Sequence, residues 1–314
     1  MPPLPPPPSP GGGAGDSAAS GVGIDTGRGG SRGGAPRGTF FIARHGERVD
    51  HVDPSWPTRA DWPEDPDLTP AGLVQARELG ERLRGEGVSV VFTSPFLRTI
   101  QTAHAVADVL DVPLVVEDGL GEWLNTSWFG DKAPRLRPVA SLLATYPRLG
   151  IPPPAPYTPA HTSSFPETRA AFYRRAGATA RYIMAWAAVT PGVTTVLAVG
   201  HGISCEAAIF GLDPGARMKM ITYCSLSTLT PSTTPAGPSS TPPTYTATAV
   251  ADASFLSHPE ARGTTQYAPP PLPGAAAAPT PPPSTGEGDY VVVSPADIAA
   301  AAGRGGGETE VERG

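Results

Sequence analysis

Apolar and polar positions along the middle of this chain fall into blocks that switch between two periods. Thr39-Phe40-Phe41-Ile42-Ala43 is a continuous apolar run, the pattern of a strand buried on both faces. Thr69-Pro70 offers a hydroxyl cap with proline at the first helical position. Leu73, Ala76, Gly80 and Leu83 follow at helical spacing on one face, and Gly85 and Gly87 end the helix. Val88 to Phe92 reads as a second strand. Ser94-Pro95 repeats the cap-then-proline start for a helix running to Leu110, and Val112 to Val116 reads as a third strand. Beyond an irregular, proline-rich stretch at 125–165, a helix runs from Pro166-Glu167-Thr168 to Ala188. Thr195-Val196-Leu197-Ala198-Val199 is a second continuous apolar run, succeeded by a helix from Ser204 to Phe210. Thr222 to Leu229 alternates as a last core strand, with Tyr245 to Val250 pairing beside it. Strands alternating with helices predict an α/β fold of three layers, α/β/α, around a mostly parallel central sheet.

Composition confines that pattern to one part of the chain. Of 314 residues, 37 are Gly and 41 are Pro, and they crowd into the two ends. Residues 1–37 and 231–286 bury too little apolar surface to offset the entropy of ordering, so both read as mostly disordered. The expected organisation is a Pro/Gly-rich arm at 1–37, one domain at 38–256 and a low-complexity tail at 257–314. The net charge of −6 gives no long-range attraction for nucleic acid or anionic membrane, and no apolar run approaches a membrane span. Two cysteines, Cys205 and Cys224, form no disulfide framework, so a reduced, cytoplasmic compartment is the default. The N-terminus lacks the apolar core of a secretory signal. It shares Arg, Ser and a shortage of acids with organelle transit peptides, but its proline run departs from them.

The candidate chemistry lies at the ends of the strands. Arg44-His45-Gly46-Glu47-Arg48 follows the first apolar run, and Gly200-His201-Gly202 follows the second. Arg98 falls in the first turn of the helix after the second strand, where free backbone N–H groups already favour an anion. Glu122 stands in Gly119-Leu120-Gly121-Glu122-Trp123 after the third strand. In open α/β sheets, ligands bind outside the carboxyl ends of the strands. Guanidinium groups grip phosphate oxygens there, and a neutral imidazole attacks phosphorus. Each residue alone has a plain structural alternative: a buried histidine for His201, a helix-face ion pair for Arg98, a surface turn for Glu122. The agreement of all four strand contexts favours the site. His51, His104, His161 and His258 lack such context and read as structural or surface residues. No metal and no cofactor is expected, because the histidines and acids are not at ligand spacings and the cysteines are isolated. The loop from Glu47 to Leu68, with Trp56 and Trp62, is long enough to be a lid over the site or a variable surface loop.

Four motifs in order carry a resemblance. They are Arg44-His45-Gly46 after a strand, Leu68-Thr69-Pro70-Ala71-Gly72-Leu73-Val74-Gln75-Ala76, Ser94-Pro95-Phe96-Leu97-Arg98-Thr99-Ile100-Gln101-Thr102-Ala103, and Val199-Gly200-His201-Gly202. Together they resemble the histidine phosphatase (phosphoglycerate mutase-like) superfamily across nearly all of the core. The resemblance implies His45 as a nucleophile that becomes phosphohistidine. It implies Arg44, Arg98, His201 and Gly202 around the phosphoryl oxygens, and Glu122 as proton donor and then base for water. Gly121-Glu122-Trp123-Leu124 departs from the stretch around the acid in the glycolytic mutases. With Arg44-His45-Gly46-Glu47-Arg48-Val49-Asp50, it is closer to the phosphatase branch that includes the phosphotyrosine phosphatase domains of ubiquitin-associated SH3 proteins. There the residue matching Arg48 adds another phosphate contact. The resulting expectation is a metal-independent phosphomonoesterase acting on phosphotyrosine protein or a small phosphate ester. The alternatives are a mutase or sugar bisphosphatase, or an interaction protein whose runs Pro2 to Pro8 and Pro269 to Pro273 present polyproline II ligands to SH3- or WW-type partners.

Overall fold

The computed structural model describes residues 38–232 and 244–258. The arm at 1–37, the tail beyond 258 with its Pro269 to Pro273 run, and the stretch at 288–302 lie outside the described residues. Seven α-helices and six β-strands follow one another among the described residues. They are β1 (Thr39–Arg44), α1 (Trp56–Arg59), α2 (Pro70–Arg82), β2 (Val88–Thr93), α3 (Leu97–Leu110), β3 (Leu114–Val116), α4 (Thr126–Phe129), α5 (Val139–Leu142), α6 (Arg169–Val189), β4 (Thr195–Gly200), α7 (Gly202–Leu212), β5 (Leu226–Pro231) and β6 (Tyr245–Asp252). They build a six-stranded sheet in the order β3-β2-β4-β1-β5-β6. The first four strands of that order run parallel, while β5 and β6 pair antiparallel on one side.

The two continuous apolar runs, β1 and β4, are neighbours near the middle and are buried throughout. Their alternate side chains feed two cores. Phe40, Ile42, Val196 and Ala198 pack with Ile183, Ala208 and Ile209 of α6 and α7. Phe41, Ala43, Leu197 and Val199 pack with Ala76, Leu79, Ala103 and Val106 of α2 and α3. Helices on both faces explain why neither strand shows a polar alternation.

Three details differ from the sequence reading. Leu73 is 42% exposed and does not join the packed face of α2. The buried stripe runs through Gly72, Ala76, Leu79 and Leu83, and Leu73 lies about 100° round the helix from Gly72. Ser94 does not cap α3, which begins at Leu97. Its first free N–H there donates to the Asp65 carboxylate 2.7 Å away, a cap delivered from another segment. The stretch at 125–165 is not wholly irregular, since it contains α4 and α5. Thr69 caps α2 as expected, accepting from Gly72, and Thr168, read as part of the start of α6, is its cap and accepts from Ala171.

Helices α6 and α7 cross at Gly177 and Gly211 with no room for a side chain. A Cβ on Gly211 would sit 2.3 Å from the Gly177 Cα, against helix backbone that cannot swing aside. Gly211→Ala therefore lowers stability by about 1–3 kcal/mol despite alanine's better helix propensity. Denaturant unfolding checks this, and a variant as stable as the parent would contradict the close crossing.

Candidate active site

The carboxyl ends of the parallel strands bring five side chains together. Arg44 is the last residue of β1 and pairs in register with Gly200, the last of β4, so the residues that follow, His45 and His201, emerge side by side. Their ring centroids are 5.4 Å apart. Arg98 enters from the first turn of α3, with its Nη2 3.1 Å from His201 Nδ1 and 3.5 Å from a Glu122 carboxylate oxygen. That oxygen also lies 3.2 Å from His201 Nδ1. His45, Arg98 and His201 are almost wholly buried, as are Arg44 and Glu122.

The orientation of His45 is settled by one hydrogen bond. Its Nδ1 lies 2.8 Å from the Gly46 carbonyl oxygen, which can only accept, so Nδ1 carries the proton and Nε2 keeps its lone pair. The turn that makes this contact is tied down on two sides. Gly46 N–H donates to Thr102 Oγ1 at 3.0 Å, and Thr102 in turn donates to the Arg98 carbonyl at 2.8 Å. A Cβ on Gly46 would stand 2.5 Å from the Gly72 carbonyl oxygen, so the turn lies directly against the start of α2.

Electrostatics keep both imidazoles neutral. Burial, followed by the fields of Arg98 and Arg44, pushes the pKa of His45 well below the usual 6.5. Burial, then Arg98 and Arg48, does the same to His201. Arg98 itself falls to about 10, chiefly through burial and then repulsion from Arg48. Its Nε and Nη1 are buried without a hydrogen-bond partner, so two strong donors are directed at a place where an anion's oxygens would satisfy them. Arg44 donates from Nη1 to the Ile221 carbonyl at 3.1 Å and lies 4.5 Å from the centroid of the Tyr223 ring.

Arg48, expected to add a phosphate contact, is also engaged by a carboxylate. Its Nε and Nη2 form a forked pair with Asp50, at 2.6 and 2.5 Å. Burial lowers its pKa, but Asp50 outweighs burial and the net shift is upward. Only Nη1 is left outside that fork. Gly202 opens α7, where His201 N–H donates to Ser204 Oγ at 2.7 Å. His51, read as structural, hydrogen-bonds through Nδ1 to the Tyr223 hydroxyl. His104 packs against Tyr146 and His161 against Tyr182, away from the five converging groups.

Sequence reasoning passed over several supporting residues. Ser94 Oγ lies 2.9 Å from His201 Nε2, and Asp65 caps the helix that carries Arg98. Tyr223 covers Arg44 from beyond α7. Asp50, two positions after Arg48, was the only one with a local signal. The loop at 47–68 is braced by the stretch at 125–165. Arg135 stacks on Trp62 with its guanidinium carbon 5.2 Å from the ring centroid, and Arg137 Nη1 donates to the Asp65 carbonyl at 2.6 Å.

Comparison with known proteins finds relatives of this chain and of its fold. A family model for the histidine phosphatase superfamily (branch 1) matches residues 40–235. Mouse ubiquitin-associated and SH3 domain-containing protein A is 35% identical over 127 residues, 30% of this chain and 20% of that protein. The 55 kDa subunit of transcription factor tau from Saccharomyces cerevisiae is 32% identical over 116 residues, 34% of this chain and 24% of that one. The chain thus spans about a fifth to a quarter of the length of these curated relatives. In fold it is similar to the ecdysone phosphate phosphatase of the silk moth Bombyx mori, with a TM-score of 0.50 at 24% identity, covering 61% of this chain and 88% of that one.

The lowered pKa values carry a sign. A buried histidine that stays neutral binds fewer protons than in the unfolded chain once the pH drops below 6.5, so folding stability falls as the pH falls. Each such histidine costs about 1.4 kcal/mol per pH unit in that window. NMR titration of the ring resonances from about pH 8 to about pH 5.5 is expected to show His45 and His201 unprotonated throughout. A midpoint near 6.5 for either would contradict the electrostatic picture.

Proposed function

Because the chain belongs to the histidine phosphatase superfamily, branch 1, we propose that it is a phosphomonoesterase working through a phosphohistidine intermediate. The observation that carries this reading is the His45 ring, held by its Nδ1 proton on Gly46, with Nε2 left free beside Arg44, Arg98 and His201. A nucleophile of this kind must be neutral; burial first and the surrounding cations second make it so, and the cations also neutralise the incoming phosphate.

In the first step His45 Nε2 forms a bond to phosphorus as the bond from phosphorus to the ester oxygen breaks. Glu122 gives its proton to that departing oxygen, so an alcohol or phenol leaves rather than its anion. Arg44, Arg98 and His201 hold the phosphoryl oxygens, joined by Arg48 through the nitrogen outside its fork with Asp50. In the second step the Glu122 carboxylate takes a proton from water. The water oxygen bonds to phosphorus, the nitrogen to phosphorus bond breaks, and inorganic phosphate departs. No metal takes part in either step.

The substrate is a phosphate monoester, and the surroundings of Glu122 favour an aryl leaving group. Trp123, next in the chain, and Trp128 lie edge to face with ring centroids 5.7 Å apart, both partly exposed. That setting supports phosphotyrosine in a protein over a small sugar phosphate.

His45→Ala is expected to abolish turnover, a loss of more than about ten-thousand-fold, together with acid-labile labelling by phosphate. Hydrolysis is measured in chelator with a phosphotyrosine peptide, a phosphoserine peptide, three-carbon and sugar phosphates, and an aryl phosphate. Retained labelling in the variant would overturn the nucleophile, and loss of activity in chelator would overturn the mechanism. Glu122→Gln is expected to cost about a hundredfold or more in kcat/KM for phenyl phosphate and much less for nitrophenyl phosphate. Equal losses for the two would remove Glu122 from the role of acid.

A further inference from the structure

Arg175 and Glu167 take no part in the steps above, yet they are buried together beneath the segment that carries Glu122. Arg175 lies on α6 and is 7% exposed, and Glu167 precedes the same helix and is 6% exposed. They form a forked ion pair, with Arg175 Nε 2.9 Å and Nη2 2.7 Å from the two Glu167 oxygens. The remaining donor capacity of the guanidinium goes to main-chain carbonyls of one short stretch. Nη1 donates to Gly119 at 2.9 Å and to Gly121 at 3.4 Å, and Nη2 donates to Glu122 itself at 3.3 Å.

The backbone of Glu167 completes the attachment. Its N–H donates to the Leu124 carbonyl at 2.8 Å, and its carbonyl accepts from Trp123 Nε1 at 2.8 Å. Every residue from Gly121 to Leu124 is thereby held by Arg175 or Glu167. Gly119 lies against α6 so closely that a Cβ there would stand 2.0 Å from Thr179 Oγ1. A buried ion pair contributes little to stability compared with apolar residues of the same size. A planar guanidinium locked on one side by Glu167, with its remaining donors directed at one loop, does something apolar residues cannot do, which is to fix that loop in a single conformation.

We propose that Arg175, locked by Glu167, is a positioning residue that sets the Glu122 carboxyl at the leaving-group oxygen. The inference rests on the reading of Glu122 as the proton donor. Displacing a reacting group by about 1 Å costs up to about a hundredfold in rate. In this case the loss falls on the step that needs the proton, and the phosphate pocket built by Arg44, Arg98 and His201 is unaffected.

The test uses Arg175→Lys, which keeps a cation for Glu167 but loses the fork, and Glu167→Gln, which keeps the shape but loosens the lock. For each, kcat/KM is measured over a series of aryl phosphates from nitrophenyl to phenyl, with the inhibition constant of vanadate as a probe of the phosphate pocket. Both variants are expected to lose about tenfold or more on phenyl phosphate, less than about threefold on nitrophenyl phosphate, and to keep vanadate inhibition within about twofold. Adding Glu122→Gln to Arg175→Lys is expected to steepen the leaving-group dependence no further than Glu122→Gln alone. A uniform loss across the series, or weakened vanadate binding, would overturn the positioning role. So would folded variants with the parent's leaving-group dependence, provided Glu122→Gln alone steepens it. If Glu122→Gln leaves that dependence unchanged, the acid reading fails first and the inference falls with it. Should Arg175→Lys fail to fold, Glu167→Gln decides the question by the same criteria.

Discussion

Arg44, Arg98 and two imidazoles share a space that water scarcely reaches, and such an arrangement exists only against its own repulsion. Burial alone disfavours a guanidinium, and a second cation nearby adds to the cost. The protein answers with several small compensations in place of one large one. The Tyr223 ring faces Arg44 and the Phe96 ring faces Arg98, each within 4.5 Å of the guanidinium carbon. Asp50 takes two donors of Arg48, and Glu122 stands beside Arg98. The imidazoles respond by giving up their protons. A concentration of positive charge held in this way is suited to an anion.

That balance is possible because the groups stand on rigid elements. Two come from adjacent central strands and one from the first turn of a helix whose cap, Asp65, arrives from a distant segment. Thr102 joins the His45 turn to the Arg98 turn, so the two side chains cannot drift apart independently. Glu122 is the exception, placed in a short loop after β3. Its order comes from side chains of α6 rather than from the sheet.

What could be read from the chain follows the range of the forces concerned. The strands β1 and β4 were legible because burial on both faces leaves an unbroken apolar run, and the cap Thr69 because it acts within three residues. The candidate residues announced themselves as short strings at strand ends, where a parallel sheet collects its ligands. Contacts between distant segments left no such trace. Asp65 looked like one acid among several in a loop, while Ser94-Pro95 carried a helix-start signal that the real cap overrides. Tyr223 and Arg175 act across more than fifty residues of chain, and neither periodicity nor spacing marks them. Leu73 misled because its apolar character matched the helix face, although helical phase turns it outward.

The pairing of Arg44 with Gly200 has a bearing on how a protein of this architecture can diversify. The spacing between neighbouring strands is a property of the peptide group, about 4.8 Å in any sheet, and no substitution of side chains alters it. The separation of the strand ends that deliver His45 and His201 is therefore inherited with the fold. The loop at 47–68 and the stretch at 125–165 have no such anchor: they lean on each other through Trp62, Arg135 and Arg137 and take no part in the sheet. Those segments can therefore vary in sequence without moving the ends of β1 and β4.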